Sequence, residues 1–164
     1  MTERISSEHL TLSPLDPSDA SDMVLVLSDP NLYVFTGGEP LTLPELEERY
    51  RFQTAGSPRE GEIWHNWIIR RDGAAIGFVQ ATVIDGSADL AWVVGKVWQG
   101  SGHGTEAALA MRDWLAASGV VGFTAHIHPD HVASQTVASR LGLSPTDLVD
   151  EDGEEVWAGD RPPG

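Results

Sequence analysis

Trp98-Gln99-Gly100-Ser101-Gly102-His103-Gly104-Thr105-Glu106-Ala107 is the stretch on which the reading of this chain turns. It runs Gln-x-x-Gly-x-Gly and then opens into Ala107-Ala108-Leu109-Ala110-Met111, a run of strong helix formers. Just before it lies Leu90-Ala91-Trp92-Val93-Val94, an apolar run of strand length. The glycines therefore sit where a strand hands over to a helix. Glycine lets the backbone approach a ligand closely. The unpaired N–H groups of the first helical turn and the positive end of its dipole then face that ligand, and such a turn favours phosphate.

Spacing separates the families that place a glycine loop at such a junction. A dinucleotide fingerprint needs glycine at the first, third and sixth places, and from Gly100 the sixth place is Thr105. A nucleoside triphosphate loop needs Gly-Lys-Ser/Thr after its spacers, and no lysine follows these glycines. What remains resembles the coenzyme A pyrophosphate loop of the GNAT acetyltransferase superfamily, whose signature is Gln/Arg-x-x-Gly-x-Gly/Ala. The wording Trp-Gln-Gly-x-Gly-x-x-Thr-Glu-Ala is similar to the RimJ/RimL-like branch. A second motif strengthens the resemblance. Pro129-Asp130-His131-Val132-Ala133-Ser134 is followed by Val137, Arg140, Leu141, Gly142 and Leu143. The branch reads Pro-Glu-Asn-x-x-Ser-x-x-Val-x-x-Lys-Leu-Gly-Phe there, so His131 stands in place of its asparagine. Ala133, Val137 and Leu141 fall four apart, on one expected helical face.

The chain has 164 residues, which predicts a single domain over 1–164 with a real core. No apolar run reaches membrane-spanning length, and the start lacks a basic region followed by an apolar stretch, so a cytoplasmic protein is expected. The absence of cysteine removes disulfides, thiolate metal sites and a cysteine nucleophile together. A net charge of −15 argues against nucleic acid, whose binding rests on neutralising phosphates, and against anionic membrane surfaces. It favours a cationic partner such as an amine, by steering. Solubility in an acidic proteome is the other reading of the same charge.

Along the chain, His9–Leu15 reads as a first strand, and Asp16-Pro17-Ser18-Asp19 starts a helix that Pro30 follows. Thr42-Leu43-Pro44-Glu45 reads as a capping box opening a second helix. Trp64–Arg71, Ala75–Val83 and Asp89–Val94 read as a three-strand meander joined at Asp72-Gly73 and Asp85-Gly86. A helix from Gly102 to Ala117, a strand over Val121–Ile127, a helix from Asp130 to Leu141 and a closing hairpin follow, with a loose tail over Asp160-Arg161-Pro162-Pro163-Gly164. This order resembles the GNAT fold. That is an α/β (α+β) architecture whose mixed, mostly antiparallel sheet splays apart and is flanked by helices.

The resemblance implies acetyl-CoA as co-substrate, direct acetyl transfer to a primary amine in a ternary complex, and an acceptor that is a small molecule or a protein N-terminus. A homodimer is allowed. It assigns the cofactor to Val93 and Val94, through main-chain pairing, to Gln99, Gly100, Ser101, Gly102, His103, Gly104 and Thr105, and to His131. His103 is read as facing solvent or the phosphates. Transfer to an amine needs a proton acceptor, and a thiolate leaving group takes a proton. The branch carries a glutamate where Asp89 stands, ten positions before Gln99, which makes Asp89 the candidate base; its other reading is a turn-end carboxylate facing water. Ser134 is the implied partner of the thiol sulfur, or else a helix serine bonded back to a carbonyl. His126, His128 and His131 invite a metal, but Pro129 breaks their geometry and no metal is expected. Trp64, His65, Trp67, Glu62 and Phe35–Glu39 are the conspicuous candidates for the acceptor side. A non-catalytic acyl-CoA-binding module is the alternative function.

Overall fold

Two Asp-Gly turns build the centre of the sheet. Asp72 and Gly73 have φ of 49° and 84°, and Asp85 and Gly86 have φ of 49° and 77°. Both central residues of each turn are left-handed, which is the geometry that matches the twist of the strands it joins. The turns link β3 (Glu62–Arg71), β4 (Ala74–Ile84) and β5 (Ser87–Val94) into the expected meander. The computed structural model describes residues 1–160; of the expected loose tail, Asp160 instead closes the last strand, paired with Gly122, and 161–164 lie outside the described residues.

Around this meander the sheet has eight strands in the order β1-β2-β3-β4-β5-β6-β8-β7. The outer strands are β1 (Ile5–Ser6), β2 (Thr11–Pro14), β6 (Gly122–Ile127), β7 (Ser144–Val149) and β8 (Glu155–Asp160). Every pairing is antiparallel except β5 with β6. That parallel pairing covers only Ser87↔Gly122 to Leu90↔Ala125. On its other side β5 pairs with β4 as far as Val94. From Ala91 onward β5 therefore has a free edge, and the sheet opens there into two arms.

Four helices flank the sheet: α1 (Ala20–Val26), α2 (Leu43–Ala55), α3 (His103–Ala117) and α4 (Val132–Arg140). One face carries the larger core, in which Ala107, Ala108, Met111 and Leu115 of α3 and Ala138 of α4 meet Trp67, Val79, Ala88, Leu90, Phe123 and Ala125. The other face carries α1 and α2, where Met23, Leu46 and Tyr50 pack on Ile68. The capping box of α2 forms as expected, with Thr42 Oγ1 accepting from the Glu45 N–H and Glu45 Oε1 from the Thr42 N–H.

Two local expectations shift. The last motif helix starts at Val132 and not at Asp130, with the non-helical ψ of 75° at His131 marking its cap. Its buried side runs through Ala138 and Leu141, while Ala133 is exposed. The strand β1 has only two residues, too short for a period to show. Tertiary contacts hold its surroundings instead: the Trp67 indole N–H donates to the Glu3 carbonyl at 2.7 Å.

Candidate active site

At the glycine loop the backbone supplies the chemistry. Gly100 and Gly102 have φ of 85° and 80°, which L side chains rarely adopt. A Cβ at either position would meet nothing within 4 Å, so open space lies over the loop. Gly102 caps α3 without a side chain, and the first bond into the helix comes from the Glu106 N–H to the Gly102 carbonyl at 3.0 Å. The N–H groups of His103, Gly104 and Thr105 are thus not capped by any side chain and stand at the positive end of the helix dipole. Ser101 lies between the two left-handed glycines and contributes backbone to the same concavity.

His103 does not face solvent. It is 6% exposed, and Arg71 Nη1 donates to its Nε2 at 2.9 Å. Its backbone N–H stays at the helix start while its ring turns inward. This places the Arg71 guanidinium beside the loop, a cation that sequence reading did not assign because it comes from the far end of β3.

Gln99 ties the loop to the strand edge: its Nε2 donates to the Val94 carbonyl at 2.9 Å. Main-chain groups alternate in direction along an antiparallel strand. The Gly95 N–H donates to the Ile76 carbonyl at 2.7 Å, toward β4. Val94 and Trp92 therefore turn their main-chain groups to the open side, and Val93 turns its own toward β4. The approach of β4 there is so close that a Cβ on Gly77 would collide with the Val93 carbonyl oxygen. Of the two expected contact positions, Val94 offers its backbone to the gap and Val93 offers its side chain to the α1–α2 face.

Asp89 stands two positions before the opening, on that same face, because its neighbours Ala88 and Leu90 fill the larger core. Its register partner on β6 is Thr124, whose Oγ1 donates to Asp89 Oδ1 at 2.9 Å. His126 Nε2 is 3.4 Å from the same oxygen, and His126 Nδ1 donates to Asp150 Oδ2 at 2.8 Å. The Asp89 side chain keeps 46% of its surface open. Burial by the flanking strands nevertheless pushes its carboxyl above the usual aspartate value, against the opposing pull of Thr124 and His126. Asp150 is held low by the Glu154 backbone N–H, with the His126 and Asp152 hydrogen bonds adding to it.

Ser134 and His131 come together on the first turn of α4, with Ser134 Oγ 3.3 Å from His131 Nε2. Phe35, from the segment between α1 and α2, stacks on the His131 ring with centroids 4.5 Å apart and lies 5.1 Å from His128. Burial lowers the His131 pKa, with His128 adding to the effect, which favours the neutral ring that can donate and accept like an asparagine. The three histidines are not gathered. His126 turns to Asp89 and Asp150, whereas His128 and His131 turn to Phe35. Among the described residues, only Asp150, Asp152 and Glu154 bring three ligating atoms within 4.8 Å of one another.

The acceptor candidates divide. Trp67 is fully buried and His65 nearly so, both packed on Trp114 of α3, so neither reaches the α1–α2 face. Trp64 lies on that face against Phe52. Glu62 is taken up by the Ser57 hydroxyl, which donates to it at 2.8 Å. Gly37, Gly38 and Glu39 border a cavity of about 210 Å³ with Tyr33 and Arg49. A second cavity of about 190 Å³ runs onto the sheet, where Arg49, Tyr50, Gln53, Asn66 and Gln80 provide its polar groups. Gln80 precedes Thr82, the cross-strand partner of Asp89, by two positions on one face.

Comparison with known proteins follows this geometry. A family model described as acetyltransferase (GNAT) domain matches residues 9–144. No curated protein matches the sequence. Among solved structures, the RimL ribosomal L7/L12 alpha-N-protein acetyltransferase in complex with coenzyme A has a TM-score of 0.83 at 19% identity, covering 96% of this chain and 98% of that one. The GNAT-family acetyltransferase from Bacillus anthracis has a TM-score of 0.82 at 13% identity, covering 97% and 99%. The aminoglycoside acetyltransferase AAC(6')-Ib in complex with coenzyme A has a TM-score of 0.78 at 18% identity, covering 93% and 95%. At these identities the likeness establishes the shared fold.

Proposed function

The chain belongs to the GNAT acetyltransferase family, and from that premise we propose how its residues divide the work. It is an acetyl-CoA-dependent N-acetyltransferase acting on a primary amine. The loop fits the pyrophosphate: open space over Gly100 and Gly102, uncapped N–H groups at the start of α3, and the Arg71 cation beside them. The free edge of β5 fits an extended amide-bearing arm, which would pair with main-chain groups at Val94. Acetyl-CoA supplies an activated thioester carbonyl when bound.

The chain's own groups then hold and move protons. Asp89 accepts the proton that the incoming ammonium must lose before it can attack. The Ser134 hydroxyl stands ready to give a proton to the departing sulfur, with His131 Nε2 behind it. Main-chain N–H groups at the opening of the sheet hold the thioester oxygen as it gains charge. The acceptor enters from the α1–α2 face, where the polar cavity lined by Asn66, Gln80 and Tyr50 lies on the side that Asp89 faces. It is a protein N-terminus or a small amine. No helix among the described residues is long and apolar enough to cross a membrane, and we place the enzyme in the cytoplasm.

The observation that carries this reading is the placement of Asp89. A carboxylate with a raised pKa sits two residues before the sheet opens, on the face with the polar cavity and in the same strand that leads to the cofactor loop. The test is coenzyme A thiol release on a panel of peptide N-termini and small amines. The chain has no cysteine, so a thiol reagent reports only the product. Amine-dependent release is expected, and the panel separates the two acceptor classes. Acetyl-CoA binding with no release for any amine would leave a non-catalytic acyl-CoA-binding module.

A further inference from the structure

We propose that His126 and Asp150 form a proton relay behind Asp89, in which His126 carries the acceptor amine's proton from Asp89 to solvent and Asp150 fixes the imidazole. The inference rests on the acetyltransferase reading above. It concerns residues 24 apart in sequence, which no motif links.

The geometry is a line of three groups. Asp150 accepts from His126 Nδ1 at 2.8 Å, so the ring is held in the tautomer that leaves the Nε2 lone pair free. Nε2 lies 3.4 Å from Asp89 Oδ1. Asp150 is itself fixed: its Oδ1 accepts from the N–H groups of Asp152 at 2.9 Å and Glu154 at 3.0 Å, and its own N–H donates to the Glu154 carbonyl at 2.9 Å. This is the arrangement by which a buried carboxylate orients a histidine for proton transfer. Thr124 completes it by donating to Asp89 Oδ1 at 2.9 Å, which leaves Oδ2 without a partner among the described residues.

The relay answers a need that the site creates. Acetylation of an ammonium releases one net proton. Asp89 takes it from nitrogen, and bound substrates cover the half of Asp89 now open to water. A turn of the carboxyl group brings the proton to His126 Nε2, and the imidazolium then loses it to solvent, since His126 keeps 37% of its side chain exposed. The second nitrogen proton goes to the departing sulfur, so the carboxylate, the imidazole and the hydroxyl of Ser134 all return to their starting states. The charged groups that face His126 are Asp89 from β5 and Asp150 and Glu154 from the β7–β8 turn region.

The test uses the full chain with its best acceptor. His126→Gln should lower kcat about ten- to a hundredfold, less than full loss of a general base, and leave KM for acetyl-CoA unchanged. Added imidazole should restore part of that rate, because the vacated position opens to solvent. Asp150→Asn keeps its single oxygen for the two turn N–H groups and sets an NH2 donor against Nδ1, so it removes both the charge and the tautomer lock and should move the acidic limb of the pH–rate profile with a smaller loss. Thermal unfolding of both variants checks the fold. An active wild type together with unaltered kcat and pH profile in His126→Gln, or a loss that imidazole does not relieve, would overturn the relay alone. A wild type that releases no thiol with any amine would overturn the enzyme reading and the relay with it.

Discussion

In the proposed enzyme, the two sides of the opened sheet would recognise their ligands with different parts of the chain. On the cofactor side the groups are main-chain: N–H groups at the head of α3 and the free edge of β5, positioned by consecutive residues of one segment. On the acceptor side they are side chains drawn from separate elements, with Asp89 on β5, His126 on β6, Asp150 beyond β7 and Tyr50 on α2. Backbone recognition tolerates most substitutions and fails only where geometry or charge is changed at the glycines. Side-chain recognition fails at any one of its members, and each failure has its own signature.

The largest effect should come from Gly102→Asp. Aspartate and asparagine are the side-chain-bearing residues that best tolerate the left-handed backbone at Gly102, so α3 should form at a similar strain in both, but the aspartate charge would face the pyrophosphate. Acetyl-CoA affinity should fall on the order of a hundredfold by calorimetry, the scale of a few kcal/mol for a misplaced charge. Gly102→Asn, which tolerates the left-handed backbone without charge, should keep most of the affinity. Equal losses in both variants would mean that shape, and not charge, governs the loop.

Next in size is Asp89→Asn, which should cut kcat about a hundredfold while leaving acetyl-CoA binding intact. It should also flatten the acidic limb of the rate profile. That limb should lie above the range of an ordinary aspartate, since the folded carboxyl is raised. The stability effect has the opposite sign. A carboxyl raised on folding costs stability once pH rises through that raised value, and asparagine removes this cost. Asp89→Asn should therefore melt at a higher temperature than wild type at neutral pH but not at pH 3. A variant that loses both activity and stability would place Asp89 among structural residues.

His131 bridges the two sides, and its changes should be milder. His131→Asn should keep most activity. His131→Leu should raise KM for acetyl-CoA about fivefold, the scale of one lost hydrogen bond of about 1 kcal/mol. Chelator should change neither. Activity lost to chelator and restored by zinc would revive the histidines as ligands.

The smallest effect concerns the latch at the head of α3. Glu106 accepts from the Ser7 hydroxyl, the His9 N–H and the His9 ring, the last two at 2.8 Å. The His9 pKa is raised by the Glu106 hydrogen bond and charge, and hydrogen bonds from Ser7 and His9 outweigh burial to lower that of Glu106. The Glu106 contribution is lost as pH falls through its lowered value, and the His9 contribution as pH rises through its raised one. Glu106→Gln should lower the melting temperature most between those limits; the two melting curves should converge at low pH, and their gap should narrow only in part at higher pH as His9 loses its proton.

What could be read from sequence follows the same division. The glycine loop between β5 and α3 was legible because its information is local: glycine spacing, a strand before and a helix former after. The meander was legible from its two Asp-Gly turns. The position of Asp89 on the strand before the glycine loop was legible from its distance to Gln99, which lies just beyond that strand. His126 and Asp150 could not be joined to it, because β8 inserts between β6 and β7 and only that order brings the turn after β7 to His126. His103 looked like a loop residue, and only the end of β3, meeting α3 in space, shows that its ring belongs to Arg71. Trp67 and His65 alternate with Trp64 and Asn66, but which face was core depended on where α3 would lie.

The parallel joint between β5 and β6 has a mechanical consequence. Only four register pairs stitch the two arms of the sheet, Ser87↔Gly122 to Leu90↔Ala125, and the pairing ends where the arms diverge. A seam fastened at one end opens like a clothes-peg, with its displacement growing toward the free tips. Asp89 and Thr124 sit next to last in that seam, close to its pivot, so a spreading that admits a long molecule between the tips moves them least. A spreading of that kind would widen the gap at its tips and leave the spacing of Asp89 and Thr124 nearly unchanged.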